Sequence, residues 1–271
     1  GWKGFLSFTF VNNGKRTVVK DKKHFGPLVL QRPYYQEFNR PSDLVIHPPG
    51  GIVGGDVLEL NVKLKDNSRG LISTPAATKF YRSKGRLAKQ IQKIEMDNEC
   101  ELEWLPQETL FFDQSVAENV LSFHLNNSNN KLIAWDIVGL GRPASGEGFD
   151  NGSLVQSLEL VIEGSLVFVD RLNIDQESLL VQSNTGLNGC MLSATALFYY
   201  DDVKAMQKLK EGLQAQGWPI HVGVSQMDGL VVLRVLGQEL DSVKAVLYKA
   251  WQVARPIVLG VPVIKPRIWN T

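Results

Sequence analysis

Apolar and polar side chains alternate along much of the first two-thirds of the chain. In residues 57–65, Leu58, Leu60 and Val62 fall on one side of an extended strand, and the polar residues between them fall on the other. A repeat of two is typical of a strand with one buried face. Residues 4–10 follow the same rule, and further strands are predicted at residues 121–126, 132–139, 154–162 and 166–174. Glu163-Gly164 indicates a hairpin turn, whereas residues 87–96 fit no pattern clearly.

A helical spacing replaces this alternation near residue 184. The first predicted helix has an N-terminal cap at Asp201-Asp202, a glycine at Gly217 and apolar positions at Val203, Met206, Leu209 and Leu213. A second helix opens at Asp241, and Pro256 is expected to bend or end it. Two strands joined by a turn at residues 227–229 lie between the helices. We therefore expect a mainly β protein with two C-terminal α-helices. It would be a single domain over 1–271, with a β-rich body (1–183) and an α+β part (184–271).

Composition and charge narrow the class of protein. The 271 residues carry 29 Lys and Arg against 28 Asp and Glu, and the formal charge of +1 gives no basic field for nucleic acid. No run in the sequence approaches the roughly 18 apolar residues of a membrane span. The opening GWKGFLSFTF lacks the pattern of a secretory signal. We expect a cytoplasmic protein with neither nucleic acid nor membrane as a partner, and a few native residues before Gly1.

Residues 47–56, HPPGGIVGGD, are unusually rich in glycine and proline. A phosphate-binding loop needs Lys and then Ser or Thr after its last glycine, but Asp56 stands there and its charge would repel phosphate. His47 and Asp56 alone are too few ligands for a stable metal site. The segment is best explained as a bent connection into the strand at Val57, with glycines where another backbone packs closely.

Two further motifs contain candidate catalytic residues. LEWLPQE (102–108) places Glu103 and Glu108 near an indole, which could raise the pKa of one carboxyl group for acid catalysis; solvated strand residues are the alternative. GLGRPASGEG (139–148) lacks the helical period of a dinucleotide-binding turn. Its Arg142 and Glu147 can pair to order the loop or serve a function. A hydrolase using Glu103, Glu108 and Arg142 is one hypothesis, although the sequence contains no Gly-x-Ser-x-Gly elbow.

Adjacent aromatic residues occur twice, as Tyr34-Tyr35 and as Phe80-Tyr81 beside Arg82. Neighbouring residues on a strand face opposite sides of the sheet, so one ring of each pair can be exposed. Exposed aromatic rings with Arg favour protein interfaces, and burial of both rings between layers is the alternative. The partner-interface candidates are Tyr34, Tyr35, Phe80, Tyr81, Arg82 and Arg142.

Five motifs, taken in order, resemble the UreD (UreH) family of urease accessory proteins. They are GPLVLQRPYYQE, HPPGGIVGGD, STPAATKFYRS, LEWLPQE and GLGRPASGEGF, and the ending RPIVLGVPVIKPRIWNT is also similar. The resemblance implies stacked β-sheets in a helix-like arrangement, and a maturation protein rather than an enzyme. It implies binding to apo-urease and recruitment of UreF, and through UreF of the GTPase UreG, for nickel insertion into the urease active site.

The resemblance also implies an internal passage for nickel in transit, with no permanently bound cofactor. Nickel leaves sites built from Cys and His with difficulty, so a passage needs weak, exchangeable oxygen ligands. The acidic residues of the matching motifs are the candidate nickel-path residues, without a fixed metal site: Asp56, Glu103, Glu108 and Glu147. A passive interaction module without ion relay is the remaining alternative.

Overall fold

The computed structural model describes residues 1–142 and 145–270. Pro143 and Ala144 of the GLGRPASGEG motif, and Thr271 of the terminal motif, lie outside the described residues. Within the described residues, no helix is long and apolar enough to cross a membrane.

The described chain contains eighteen strands and two α-helices. The first nine strands are β1 (Lys3–Asn12), β2 (Thr17–Phe25), β3 (Val29–Leu30), β4 (Tyr34–Glu37), β5 (Arg40–Ile46), β6 (Val57–Leu64), β7 (Arg69–Ser73), β8 (Thr78–Phe80) and β9 (Ala88–Met96). The next seven are β10 (Glu101–Trp104), β11 (Thr109–Phe111), β12 (Val116–Leu125), β13 (Lys131–Leu140), β14 (Ser153–Ile162), β15 (Ser165–Ile174) and β16 (Leu192–Tyr199). The remaining elements are α1 (Val203–Gln214), β17 (His221–Met227), β18 (Leu230–Gly237), α2 (Leu240–Val258) and a 3-10 helix (Arg267–Asn270).

The strands form two sheets, and the chain passes back and forth between them. The first sheet has the order β15-β14-β12-β9-β6-β1-β2, and the second runs β17-β18-β16-β13-β10-β7-β5-β3 with short strands at its side. The strands β1, β6, β9, β12 and β14 are parallel neighbours in the first sheet. The strands β5, β7, β10 and β13 are parallel neighbours in the second. The backbone therefore coils through two stacked sheets, which confirms the mainly β, helix-like fold.

The main core lies between the two sheets. It takes alternate residues of each strand, such as Leu60 and Leu121 from the first sheet and Leu102 and Ala134 from the second. In β6 the buried positions are those that the alternating sequence pattern assigned to the inner face. Residues 87–96, which fitted no pattern, contribute the strand β9.

A second core lies on the opposite face of the second sheet, under the two helices. Trp135 and Ile137 of β13 point to this side, where they join the apolar stripes of α1 and α2. Strand β13 is therefore covered on both faces, and this explains its nearly continuous apolar sequence. The strands β16 and β18 extend the same sheet below the helices.

The helix boundaries follow the sequence signals except at Pro256. Asp202 caps α1, since its Oδ1 accepts a hydrogen bond of 3.0 Å from the backbone N–H of Ala205. Pro256 was predicted to bend or end the second helix. It does not end the helix, because α2 continues to Val258. Val258 and Leu259 are buried in the second core, and this packing holds the last turn in spite of the missing N–H of proline.

The turn predicted between β14 and β15 is confirmed. Glu163 and Gly164 have φ angles of +51° and +80°, as a tight two-residue hairpin connection requires. The two strands pair in antiparallel register on either side of it.

Candidate functional site

A row of amide side chains crosses the inner face of the first sheet. Gln90 of β9, Asn119 of β12 and Gln156 of β14 occupy register-matched positions on three adjacent strands. Asn119 and Gln156 are buried. Amides placed in an apolar layer lower stability unless they find hydrogen-bond partners or water. The row is therefore an exception within the main core that calls for an explanation.

Asp136 of β13 faces this row from the second sheet. Gln156 Nε2 donates a hydrogen bond to Asp136 Oδ2. Burial raises the pKa of Asp136 to about 7, and the charge of Asp170 acts in the same direction, while the bond from Gln156 opposes the shift. The carboxyl group can therefore hold or release a proton near neutral pH.

Two cavities meet at Asp136. The inner cavity, of about 260 Å³, lies between the sheets, and its lining includes His47, Gln90, Gln92, Thr109 and Asp136. The far cavity, of about 460 Å³, continues on the other side, and its lining includes Asp136, Gln156, Asp170, Thr195, His221 and Arg234. Asp136 belongs to both linings, so the two spaces are neighbours at this carboxyl group.

The far cavity is polar because several charged groups converge there. Asp170 accepts a hydrogen bond of 2.6 Å from Thr195 Oγ1 and lies 3.4 Å from a guanidinium nitrogen of Arg234. These partners balance the charge of Asp170 and leave its carboxylate beside the cavity.

An outer cleft of about 490 Å³ adjoins the inner cavity on its other side. The cleft lies between α2, the C-terminal residues and two loops of the body, and it is lined by Glu108, Trp135, Lys244, Tyr248 and Trp269 among others. The cleft and the inner cavity share the residues Pro75, Ala76, Ala77, Pro106 and Gln107. The three spaces therefore form a series that runs from the surface beside α2 to the far edge of the sheets.

The four acidic residues selected from the sequence are not brought together. Asp56 closes the HPPGGIVGGD turn: its Oδ1 accepts from the N–H of Trp2 at 2.6 Å, and its Oδ2 accepts from the N–H of Val53 at 3.1 Å. Glu147 pairs with Arg142, whose Nε donates to it at 2.9 Å. This bond lowers the pKa of Glu147. Of the four, Glu108 lines the outer cleft.

Glu103 is part of a buried ionic cluster. Its Oε1 accepts hydrogen bonds from Trp251 Nε1 at 2.7 Å and from Arg255 Nε at 3.0 Å. Arg255 is fully buried and also pairs with Glu37, while Arg40 pairs with Glu101 at 2.5 Å. The interpretation of Glu103 as a solvated strand residue is wrong, because the helix α2 covers this face of β10.

The groups of the hydrolase hypothesis have separate partners in the described structure. Glu103 binds Arg255, Glu108 lies 2.6 Å from the Lys244 ammonium, and Arg142 binds Glu147 and lies 4.8 Å from the Phe112 ring centre. Such an arrangement does not direct the three toward one substrate.

The aromatic candidates differ in exposure. Tyr34 is 47% exposed, whereas Tyr35 is half-buried and its hydroxyl donates to the Thr17 carbonyl at 2.9 Å. Phe80 has no exposed surface and stacks on Phe111 at 4.8 Å. Tyr81 is half-buried against Gly51, where an added Cβ would lie 2.1 Å from the ring. The candidates Arg82 and Arg142 are exposed.

Asp136 and the amide row were not identified as site residues from the sequence. The pattern that could have identified them is a polar side chain at an inward position of an otherwise apolar strand face. In β14, Gln156 shares a face with Leu154, Leu158 and Leu160. Asp136 is the single carboxylate in the apolar run of β13. Since residues 132–139 and 154–162 were predicted as strands, the alternation along them could have shown that these polar residues lie on a buried face.

The fold and its cavities define a class of protein: a coil of two stacked sheets with polar cavities in and beside its core. Among the described residues there is no group of three or more His, Cys, Asp or Glu side chains able to hold a metal ion. The cavity linings offer dispersed oxygen groups, with one imidazole in the inner cavity (His47) and one in the far cavity (His221).

Comparison with known proteins identifies the family. The family model described as UreD urease accessory protein matches residues 3–270. A urease accessory protein UreD of Pseudomonas putida (strain GB-1) is 37% identical over 271 residues, with 100% of this chain and 95% of that protein covered. Proteins of the same name from Alkalilimnicola ehrlichii and Escherichia coli are each 36% identical over 100% of this chain, covering 92% and 98% of their own lengths. The chain belongs to the UreD family of urease accessory proteins.

Proposed function

We propose that this protein is a cytoplasmic maturation factor for urease and not an enzyme. In this proposal it binds apo-urease and recruits UreF, and through UreF the GTPase UreG, so that nickel reaches the urease active site. Membership of a family of accessory proteins supports this role. Nickel is cargo in transit, and the protein holds no permanently bound cofactor.

The observation that carries the proposal of a nickel passage is the series of three cavities that meet at Gln107 and Asp136. The metal-binding groups along it are mainly amide, hydroxyl and carboxyl oxygens, for example those of Gln92, Thr109 and Asp136. Its two imidazoles, His47 and His221, lie in different cavities. A borderline divalent ion binds such donors more weakly than it binds thiolate or imidazole, and it can exchange them for water. The lining therefore suits transfer better than storage.

Asp136 gives the proposed route a proton-linked ligand where the inner and far cavities adjoin. Since burial raises the pKa of Asp136 to about 7, the empty route avoids the cost of an unpaired charge between the sheets. An arriving divalent ion favours the carboxylate and releases the proton. The ion then moves on to the far cavity, where Asp170 is available beside Thr195.

A comparison of two matched amide substitutions tests the passage. Asn119→Leu places an apolar side chain of similar size between Gln90, which lines the inner cavity, and Gln156, which lines the far cavity. Asn61→Leu makes the same change at an exposed position on the outer face of the same sheet. Each variant is combined with UreF, UreG and apo-urease, and urease activity is measured after addition of nickel and GTP.

We expect Asn119→Leu to slow urease activation by roughly tenfold, the effect of about 1.4 kcal/mol on a barrier, and Asn61→Leu to leave it unchanged. Co-purification with UreF and urease should be equal for both variants. Full activation with Asn119→Leu would reject the passage and leave a passive interaction module. Folded protein that does not bind UreF would reject the scaffold role.

A further inference from the structure

The outer cleft meets the inner cavity between two loops of the body. One loop follows β7 and contributes Pro75, Ala76 and Ala77, and the other follows β10 and contributes Pro106 and Gln107. The two spaces border each other along these residues, of which Gln107 is the polar one. We call this boundary, with Gln107 and with Glu108 of the outer cleft at its rim, the mouth.

A lysine from α2 occupies the mouth. Lys244 Nζ lies 2.6 Å from Glu108 Oε2 and donates a hydrogen bond of 2.7 Å to Gln107 Oε1. The ammonium group therefore sits between a carboxylate and an amide oxygen. A carboxylate oxygen and an amide oxygen are also the kinds of ligand that bind a divalent cation through oxygen.

The oxygen donors of the mouth are attached to a rigid backbone. The N–H of Gln107 donates to Thr74 Oγ1 at 2.9 Å, and the carbonyl of Glu108 accepts from the N–H of Thr78 at 2.9 Å. The side chain of Glu108 is 9% exposed, whereas that of Lys244 is 36% exposed. The carboxylate is thus held in place, while the ammonium group lies on a flexible four-carbon stem that can move into the cleft.

The contact has a small structural role compared with the other attachments of α2. The helix is fixed to the body by Arg255 and Trp251, which bind the buried Glu103, and by its apolar stripe in the second core. Because Glu108 is buried, loss of the ammonium group lowers stability by leaving the carboxylate without that partner. The other attachments of α2 remain, so we expect a chain that lacks the Lys244 contact to keep the fold.

We propose that Lys244 is a tethered cation that closes the mouth and is displaced by the divalent ion entering the cavity series. This inference rests on the proposed nickel passage. The ammonium group and the ion compete for Glu108 and Gln107. The ion carries the larger charge and can bind both oxygens together with water. Lys244 then swings into the cleft and returns when the ion has moved inward, so the carboxylate is paired in both states.

Nickel binding to the purified chain tests the competition. The variants are Lys244→Gln, which removes the competing charge, the double variant Lys244→Gln/Glu108→Gln, which also removes the carboxylate, and Lys249→Gln, which is the matched control. Lys249 lies on the exposed side of the same helix. Nickel chloride is titrated into each variant by calorimetry, and unfolding in urea checks that each variant is folded.

We expect Lys244→Gln to bind nickel about tenfold more tightly than the unsubstituted chain, a change of about 1.4 kcal/mol. The double variant Lys244→Gln/Glu108→Gln should lose this gain, and Lys249→Gln should bind as the unsubstituted chain does. Equal nickel binding by folded Lys244→Gln and Lys249→Gln would overturn the inference, as would a gain that persists without Glu108.

The two proposals can fail separately. If Lys244→Gln leaves nickel binding unchanged while Asn119→Leu still slows urease activation, the passage stands and the lysine gate is rejected. If Lys244→Gln tightens nickel binding through Glu108 while Asn119→Leu activates urease fully, competition at the mouth stands and the passage beyond it is rejected.

Discussion

A single buried carboxyl group, that of Asp43, makes the stability of this protein depend on pH. Asp43 of β5 has no exposed surface, and neither of its carboxylate oxygens has a hydrogen-bond partner among the described residues. Burial raises the pKa of Asp43 from 3.8 to about 7. Between these two values the unfolded chain loses the proton while the folded chain keeps it, so stability falls as the pH rises through this window.

Asp43→Asn should remove this contribution. We expect the free energy of unfolding of the variant, relative to the unsubstituted chain, to rise by roughly 3 kcal/mol between pH 5 and pH 8, the equivalent of about two pKa units. Urea denaturation at both pH values measures it. The control Asp201→Asn, at an exposed position, should show no such rise. Parallel pH profiles for Asp43→Asn and the unsubstituted chain would contradict the expectation.

The sequence predicted which faces of individual residues are buried but not their partners. Alternation placed Leu58, Leu60 and Val62 correctly on an inner face, because burial of one sheet face imposes a period of two. It could not predict that Glu103 would bind Arg255, which lies 152 positions away in the chain. A carboxylate on a strand has the same local pattern whether water or a helix covers it.

The ionic cluster under α2 determines how that element is attached to the body. Arg255→Met removes the nearer of the two buried arginines that pair with Glu103, Arg255 at 3.0 Å and Arg40 at 3.8 Å. We expect a loss of about 3–5 kcal/mol in the free energy of unfolding. The double variant Arg255→Met/Glu103→Leu should recover part of this loss, because it removes both charges together. Urea denaturation of the single and double variants measures the coupling.

The matched control for this cluster is Arg171→Met in the exposed ion pair with Glu159. The side chain of Arg171 is 63% exposed and lies 3.4 Å from Glu159, so its loss should change stability by less than about 1 kcal/mol. A similar cost for the two arginine substitutions would show that the buried cluster does not hold α2 in place.

Element prediction succeeded where one face of a strand or helix meets water. The strands β1, β6 and β14 and both helices carry clear periods, and each was found within a few residues. The short strands β7 and β10 of the second sheet were not singled out, since the main core covers one face and the helices or the ionic cluster cover the other. Such strands lose the alternation on which the prediction depends.

The order of the strands is a property of the whole molecule that periodicity could not give. Alternation indicates a strand and its buried face, but not that β6 would pair in parallel with β1 and β9. The helix-like arrangement was implied by the family resemblance. The amide row has the same origin, because Gln90, Asn119 and Gln156 become one row only when three strands lie side by side in register.

The parallel coil leaves the first sheet with two free edges of different character. The edge strand β2 carries Lys20, Lys22 and Lys23, whose charges oppose pairing with another chain. The other edge strand, β15, exposes the apolar residues Leu166, Val167 and Val169. A long edge with exposed apolar side chains is a site where copies of an isolated chain associate.

Val169→Lys should therefore keep the isolated chain monomeric at higher concentration, since it places on β15 the kind of charge that β2 already carries. Light scattering coupled to gel filtration, over a series of protein concentrations, measures the mean mass. Val203→Lys is the control, because Val203 is 57% exposed at the start of α1, away from either edge. If both lysine variants associate as strongly as the unsubstituted chain, the β15 edge is not the surface through which copies meet. If Val169→Lys alone remains monomeric, copies of the isolated chain associate through this edge.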